Sequence, residues 1–281
     1  MTEADGFGSE DGQPGKFGTV LPVRSSQDGG IRRGEGLLPP FASAIGAIKK
    51  VYAAGAQGTG RLLGRVGILD DDPPSRDHRL RHWAFSLTRA HDSIGIAKLD
   101  VPWWTYKSID EVEAWLTAHP AARVFEWGSG ASTIWLAKRA AEVHSVEHHA
   151  GFGRMIQEQL AGTPNATLDI VEPEASDAPA IGSAKEGHGG LDFSRYVHHI
   201  DEVAEHGEGM FDLIVIDGRA REACLTAAIP HLAPDGIIVF DNTMRRRYQR
   251  AIKAAPVVER AFRGLTPTLP YPDQTSIITL R

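Results

Sequence analysis

Between residues 122 and 241 short apolar runs recur, most of them closing on an acid: ARVFEW (122–127), EVHSVE (142–147), NATLDIVE (165–172), FDLIVID (211–217) and GIIVFD (236–241). Their length and β-branched content fit buried strands rather than helices. The stretches between several of them carry helical spacing, Ser132–Ala141 among them. Apolar strands alternating with helices predict a parallel sheet covered on both faces, a doubly wound Rossmann-like α/β domain. Two further strands, Ala261–Leu265 and Thr275–Leu280, flank a proline-rich turn too short for a crossover helix. They are expected to pair as a C-terminal antiparallel hairpin and complete a mostly parallel seven-stranded sheet.

Upstream, a helix is expected over Asp77–Ala90. The Ser108-x-x-Glu111 spacing reads as a capping box that starts another helix, with Ile109, Val112 and Trp115 on its apolar face. Residues 41–66 show weaker helical spacing, with Lys49, Lys50, Arg61 and Arg65 beside Phe41, Ile45, Ile48, Val51, Tyr52, Leu62 and Leu63. Such a segment suits packing on the main domain or on a second copy of the chain in a homo-oligomer, or weak contact with an anionic membrane surface. Its lysines break it well short of the ~20 apolar residues of a spanning helix. The organisation expected is a disordered tail (1–36), a helical extension (37–104) and the α/β domain (105–281). The polar stretch 173–195 is long for a connection and reads as a lid over the ligand cleft or as a surface insertion.

Composition narrows the functional classes. In 281 residues, 42% are hydrophobic, enough for a sizeable core, and a net charge of −6 argues against nucleic acid as a partner. The tail is too acidic for a secretory signal, and the single cysteine, Cys224, can build neither an intrachain disulfide nor a thiolate metal site. A cytoplasmic location is expected.

The chemistry gathers at the strand ends, where open α/β sheets bind ligands. Glu126, Glu147, Asp217 and Asp241 close four of the parallel strands. In FEWGSGAST, Gly128 and Gly130 permit a tight turn with close ligand approach, and the amides of the next helix favour an anion. Glu147, seventeen residues beyond Gly130, is placed to accept both hydroxyls of a ribose. A dinucleotide fingerprint would have a third glycine where this chain has Thr133, which disfavours nicotinamide and flavin cofactors. Asp217, Asp241 and the amide oxygen of Asn242 make a hard-oxygen set suited to Mg²⁺.

The ordered set Glu126-Trp-Gly128-Ser129-Gly130, SVEHH, FDLIVIDG and LAPDGIIVFDN resembles the class I S-adenosylmethionine-dependent methyltransferases, with O-methyltransferases the nearer likeness. The resemblance covers about residues 105–281. It implies S-adenosylmethionine as cofactor, with Gly128, Ser129 and Gly130 at its methionine part, Glu126 near its amino group through solvent, and Glu147 on the ribose. The set of Asp217, Asp241 and the Asn242 amide oxygen resembles the metal site of the catechol and caffeoyl-CoA O-methyltransferases. Those families place a lysine shortly after the first aspartate, where this chain has Arg219 and Arg221. Arginine stays protonated and is a poor base, so these two are expected to hold a substrate carboxylate or phosphate instead.

Asp217, Asp241 and His148 remain the candidate catalytic groups, with His148 weighed against a role as an ordinary hydrogen-bonded histidine. Trp103, Trp104 and Tyr106 suit either a cleft wall or the core. The run Arg245, Arg246, Arg247 and Arg250 suits a solvated helix face, with anion recognition as the alternative. The function expected is O-methylation of a small-molecule or glycan-type acceptor. An NAD-dependent oxidoreductase and a non-catalytic cofactor-binding scaffold are the alternatives.

Overall fold

The structure is a computed structural model and describes residues 72–89, 99–207 and 209–281. The tail expected over 1–36 and the helix expected over 41–66 lie outside these residues. The elements in chain order are α1 (Arg79–Arg89), α2 (Tyr106–Ala118), β1 (Arg123–Trp127), α3 (Ala131–Ala137), β2 (Glu142–Glu147), α4 (Ala150–Gln159) and β3 (Ala166–Ile170). There follow β4 (Glu174–Ala175), β5 (Leu191–Asp192), α5 (Ser194–His206), β6 (Phe211–Ile216), α6 (Arg221–Ala228), a 3-10 turn, β7 (Leu232–Asp241), α7 (Arg246–Ala254), β8 (Val257–Gly264) and β9 (Asp273–Leu280).

Seven strands form one sheet in the order β3-β2-β1-β6-β7-β9-β8. The first five run parallel, and β9 pairs antiparallel with both β7 and β8. The order turns back at β1–β6, so the ends of β1, β2 and β6 open on one crevice, as a doubly wound sheet requires. Both faces are buried. Along β6, Ile214 and Ile216 join Phe125, Trp127, Tyr196 and Phe240 in one cluster. Leu213 and Val215 join Val124, Trp135, Ile109 and Val239 in the other. Successive residues of a strand point to opposite faces, so continuous apolar runs are what a sheet covered on both sides demands.

Several boundaries differ from the sequence expectations. The capping box at Ser108 does not form, because α2 begins at Tyr106 and Ser108 is buried inside it, its hydroxyl donating to the Thr105 carbonyl at 2.8 Å. Thr105 occupies the cap position, but its hydroxyl donates to the Phe262 carbonyl and its N–H to Thr275 Oγ1, both at 3.1 Å. These bonds dock the start of α2 onto β8 and β9. β8 begins four residues before Ala261, and its residues 258–261 are exposed. An edge strand with a solvated face carries no continuous apolar run; eight paired residues of β9 define it instead. The stretch 173–195 contains the short β4–β5 hairpin and leads into α5, which buries Tyr196, Val197, Ile200 and Ala204.

Ile214 sits fully buried in the central strand. Ile214→Ala is expected to cost about 2–5 kcal/mol through lost burial and the cavity left behind. Urea unfolding with an unchanged slope would report this as a lower midpoint. A loss below about 1 kcal/mol would contradict the close packing of that face.

Candidate active site at the strand ends

Ladder hydrogen bonds carry the parallel register one residue past each strand. The Gly128 N–H donates to the Val146 carbonyl at 2.9 Å, and the Asp217 N–H to the Trp127 carbonyl at 3.0 Å. The turns after β1 and β6 therefore lie side by side. Gly128 has φ +95, and a Cβ there would stand 2.6 Å from Gly218 Cα, so only glycine lets the two turns pass. Trp127 points away from the crevice, its indole N–H donating to the Tyr196 carbonyl at 3.0 Å and fastening α5 to the sheet.

Glu126 lies beneath the glycine turn. The sequence expectation put it near the cofactor through solvent, but its side chain is fully buried and its carboxylate accepts the hydroxyls of Ser132, Thr133 and Ser145. Thr133 Oγ1 in turn accepts the Gly130 N–H at 2.9 Å, so that amide is not free for an anion. Ser129 Oγ pairs with Ser145 Oγ at 2.8 Å. Glu126 thus shapes the loop rather than touching a ligand. Burial pushes its carboxyl from the ordinary 4.5 to about 7, outweighing the three hydroxyls that pull it down, and Asp217 nearby adds to the rise.

At the end of β2, Glu147 Oε1 accepts the His149 N–H at 2.9 Å. His148 Nδ1 lies 2.6 Å from the same oxygen but lacks hydrogen-bond geometry. No hydrogen bond from the described residues reaches Glu147 Oε2, which leaves one carboxylate oxygen for a ligand. His148 sits in an aromatic box of His188, Phe193 and Tyr196, each ring centroid 5.9 Å away. Two of these come from the 173–195 stretch and one from α5. The Tyr196 hydroxyl is buried without a partner, and a Cβ on Gly218 would stand 1.8 Å from it.

The ends of β6 and β7 correct two expectations. Arg221 was expected to hold substrate, yet it is buried and donates to the carbonyls of Gly218, Asp217 and Asp241 and to Asp217 Oδ1, at 2.6–3.0 Å. Its Nη1 also lies 3.7 Å from Asp241 Oδ2. The guanidinium occupies the place between Asp217 and Asp241 that a Mg²⁺ ion would need. Asn242 Nδ2 donates to Asp273 Oδ2 at 3.0 Å, which fixes the amide without occupying its oxygen. Among the described residues no cluster of three or more histidine, cysteine, aspartate or glutamate side chains could hold a metal ion. The set does not fit a metal centre, because a fixed cation already bridges its two carboxylates.

Burial raises the carboxyls of both Asp217 and Asp241. Arg221 pulls each down, and for Asp241 the neighbouring Asp217 raises it further. Asp241 is the more enclosed, with Oδ1 accepting the Thr275 hydroxyl at 2.7 Å. Asp217 keeps 22% of its side chain exposed. Trp104 is fully buried against Trp135, with its indole N–H leaning toward Asp217 without hydrogen-bond geometry, and Tyr106 OH pairs with His82 Nδ1 at 2.7 Å. Both belong to the core, while Trp103 is exposed.

Arg219 reaches the site unspent. Its Nη1 donates to the Gly218 carbonyl at 3.3 Å, and its buried Nε has no partner. The residues that sequence reasoning missed are Lys185, His188 and Tyr196. Tyr196 and His188 carry no sequence signal beyond an apolar helix face and a polar loop, since their roles come from chain segments far apart.

Residues 125–243 match the family model described as a methyltransferase domain. Comparison with curated protein sequences returns no match. Among solved structures, a methyltransferase-like protein from Silicibacter pomeroyi is 24% identical with a TM-score of 0.37, over 60% of this chain and 84% of that one. An rRNA methylase from Streptococcus thermophilus is 10% identical with a TM-score of 0.40, over 61% and 95%. A Streptococcus mutans protein in complex with SAH is 8% identical with a TM-score of 0.39, over 61% and 97%.

A group whose folded pKa is raised contributes stability below its unfolded pKa and loses it as pH rises through the folded value. For Glu126 that window runs from 4.5 to about 7. Glu126→Gln keeps the shape and removes the charge, so stability measured by urea unfolding should fall less steeply across this window than in the wild type. The buried aspartates will still contribute a slope. An unchanged slope would show that Glu126 ionises elsewhere.

Proposed function

We propose that this chain, which carries a methyltransferase domain over residues 125–243, transfers a methyl group from S-adenosylmethionine to an oxygen of a small-molecule or glycan-type acceptor. The observation that carries the reading is the placement of Glu147, a buried acid with one carboxylate oxygen free of hydrogen bonds from the described residues, beside the Gly128–Gly130 turn at the ends of adjoining parallel strands. A carboxylate there accepts the two ribose hydroxyls, and glycine backbone admits the methionine part of the donor. Ser129 shares that turn, while Glu126 supports it from below.

Methyl transfer to oxygen requires an aligned nucleophile and a group that takes its proton. Asp217 is assigned as the proton acceptor. It borders the crevice, retains exposure, and burial raises its carboxyl, which brings a carboxylate closer to useful basicity near neutral pH. Asp241 supports it through the shared Arg221. His148 lies beside Glu147 within an aromatic box and is assigned to pack against that acid rather than to accept a proton. No described helix is long and apolar enough to cross a membrane. The lone cysteine, buried at Cys224, suits the reducing cytoplasm where we place the protein.

Calorimetry provides the test. S-adenosylhomocysteine should bind the wild type, Glu147→Ala should weaken it by about tenfold or more through the lost charge-assisted hydrogen bonds, and NAD⁺ should show no binding. Absence of S-adenosylhomocysteine binding, or an affinity indifferent to Glu147→Ala, would sink the reading. Preferential NAD⁺ binding would favour the oxidoreductase alternative.

A further inference from the structure

Most semi-buried arginines in this chain have an acid beside them: Arg123 pairs with Glu142, Arg139 with Asp100 and Glu113, Arg221 with Asp217, and Arg247 with Glu222. Three cations near the crevice have no such partner among the described residues: the half-buried Arg219 and the exposed Lys185 and Arg245. The Lys185 carbonyl accepts the N–H of His188, which stacks on Phe193 beside Tyr196, and Arg245 lies over the same Tyr248 ring as Arg221. The positive charge of Arg219 and Arg245 reaches Lys185. The three cations arrive from three separate segments: the 173–195 stretch, the turn after β6, and the connection between β7 and α7. Arg219 adds a buried Nε that has no acceptor.

We propose that Lys185, Arg219 and Arg245 form an anion-binding subsite that receives a carboxylate or phosphate of the methyl acceptor. The inference rests on the methyl-transfer reading for the identity of the ligand, not for the existence of the site. Burial and the positive charge of its neighbours together press the Lys185 ammonium and the Arg219 guanidinium below their ordinary ranges. Like charges held together without counter-ions store unfavourable energy, and an anion between them relieves it. The Arg219 fork offers Nε and Nη2 in one plane, geometry that matches two oxygens of a carboxylate or phosphate.

Other charged and titratable groups facing these cations do not neutralise them. Glu147 attracts both Lys185 and Arg219 weakly, and its Oε1 already serves the His149 N–H. His188 stacks on Phe193, and the cations around it, Arg219 first, disfavour its protonation together with burial. Arg221 repels Arg219 and is itself committed to Asp217 and Asp241. Burial raises the Asp273 carboxyl against the pull of the Gln274 N–H and of Arg245, and Asp273 is bound by Asn242 rather than by Arg245, whose Nη1 only brushes the Tyr248 hydroxyl at 3.5 Å. The Tyr196 hydroxyl, buried and unpartnered, faces the same charge and supplies a neutral donor.

The subsite lies on the acceptor side because Arg219 follows Asp217 by two residues and Arg245 follows Asp241 by four. The donor elements, Gly128–Gly130 and Glu147, belong to β1 and β2. An acceptor anchored by its anion would present a hydroxyl toward Asp217. Because Lys185 belongs to the 173–195 stretch, that stretch contributes to acceptor recognition.

The full chain, titrated with inorganic phosphate at constant ionic strength and followed by calorimetry with and without saturating S-adenosylhomocysteine, tests the proposal. Phosphate should bind saturably in both conditions. Lys185→Gln and Arg219→Gln should each weaken it by about tenfold, Arg219→Lys by less, with S-adenosylhomocysteine affinity held within about threefold. Arg246→Gln, on an exposed residue of α7, is the control for diffuse surface charge and should change phosphate binding little. No saturable phosphate binding, or an Arg246→Gln loss equal to that of Arg219→Gln, would overturn the subsite. Displacement of phosphate by S-adenosylhomocysteine, with parallel loss of both ligands in Arg219→Gln, would assign the cations to the donor's carboxylate and overturn the acceptor role. Retained phosphate binding without any S-adenosylhomocysteine binding would fault the methyl-transfer reading alone.

Discussion

The guanidinium of Arg221, buried between the ends of β6 and β7, is the interaction on which the site depends. It ties three strand-end carbonyls and one carboxylate into a rigid corner. A buried arginine is tolerable only with its donors satisfied and its charge opposed, and here both conditions are met by Asp217 and Asp241. The same corner fixes the direction of the Asp217 carboxylate and stands where a divalent cation would have stood. The proton acceptance proposed for Asp217 would therefore have a fixed, protein-supplied counter-charge beside it.

A second buried charge shapes the donor side. Glu126 accepts three hydroxyls, one of which also receives the Gly130 amide, so the acid holds the glycine turn in form from below. Hydrogen bonds to the ionised form and burial oppose one another, and burial prevails. Above it, Gly128 passes against Gly218 at a separation that no side chain would allow. The turns after β1 and β6 are thus coupled and held in one frame. Alignment of two reactants benefits from such rigidity more than from any single contact.

Against this economy of paired charges, the unopposed cations Lys185, Arg219 and Arg245 stand out. Arg219 and Arg221 are two residues apart, with the left-handed Ala220 (φ 48) between them. That turn sends one guanidinium into a nest of carbonyls and leaves the other facing the crevice. Identical side chains thereby acquire different surroundings, Arg221 committed to the strand ends and Arg219 available for the ligand role proposed above.

The apolar runs of β1, β2, β6 and β7, the glycines after β1 and the acids at the strand ends were legible along the chain, because strand periodicity and turn chemistry are local properties. They determined the doubly wound sheet and the crevice where chemistry belongs. The start of α2, the first residues of β8 and the helix α5 were less legible, since long-range contacts define them: Thr105 is claimed by β8 and β9, β8 by its pairing with β9, and α5 by the aromatic core around Trp127. How each strand-end acid is surrounded was likewise decided only by tertiary structure. Glu126 and Glu147 are both buried, yet three hydroxyls satisfy one while the other has an oxygen that no hydrogen bond from the described residues reaches. Among the arginines, Arg221 is neutralised and Arg219 is not. Sequence supplies the charge of a side chain, but its solvation and its counter-ion come from segments far away in the chain, and those two quantities decide what the charge can do.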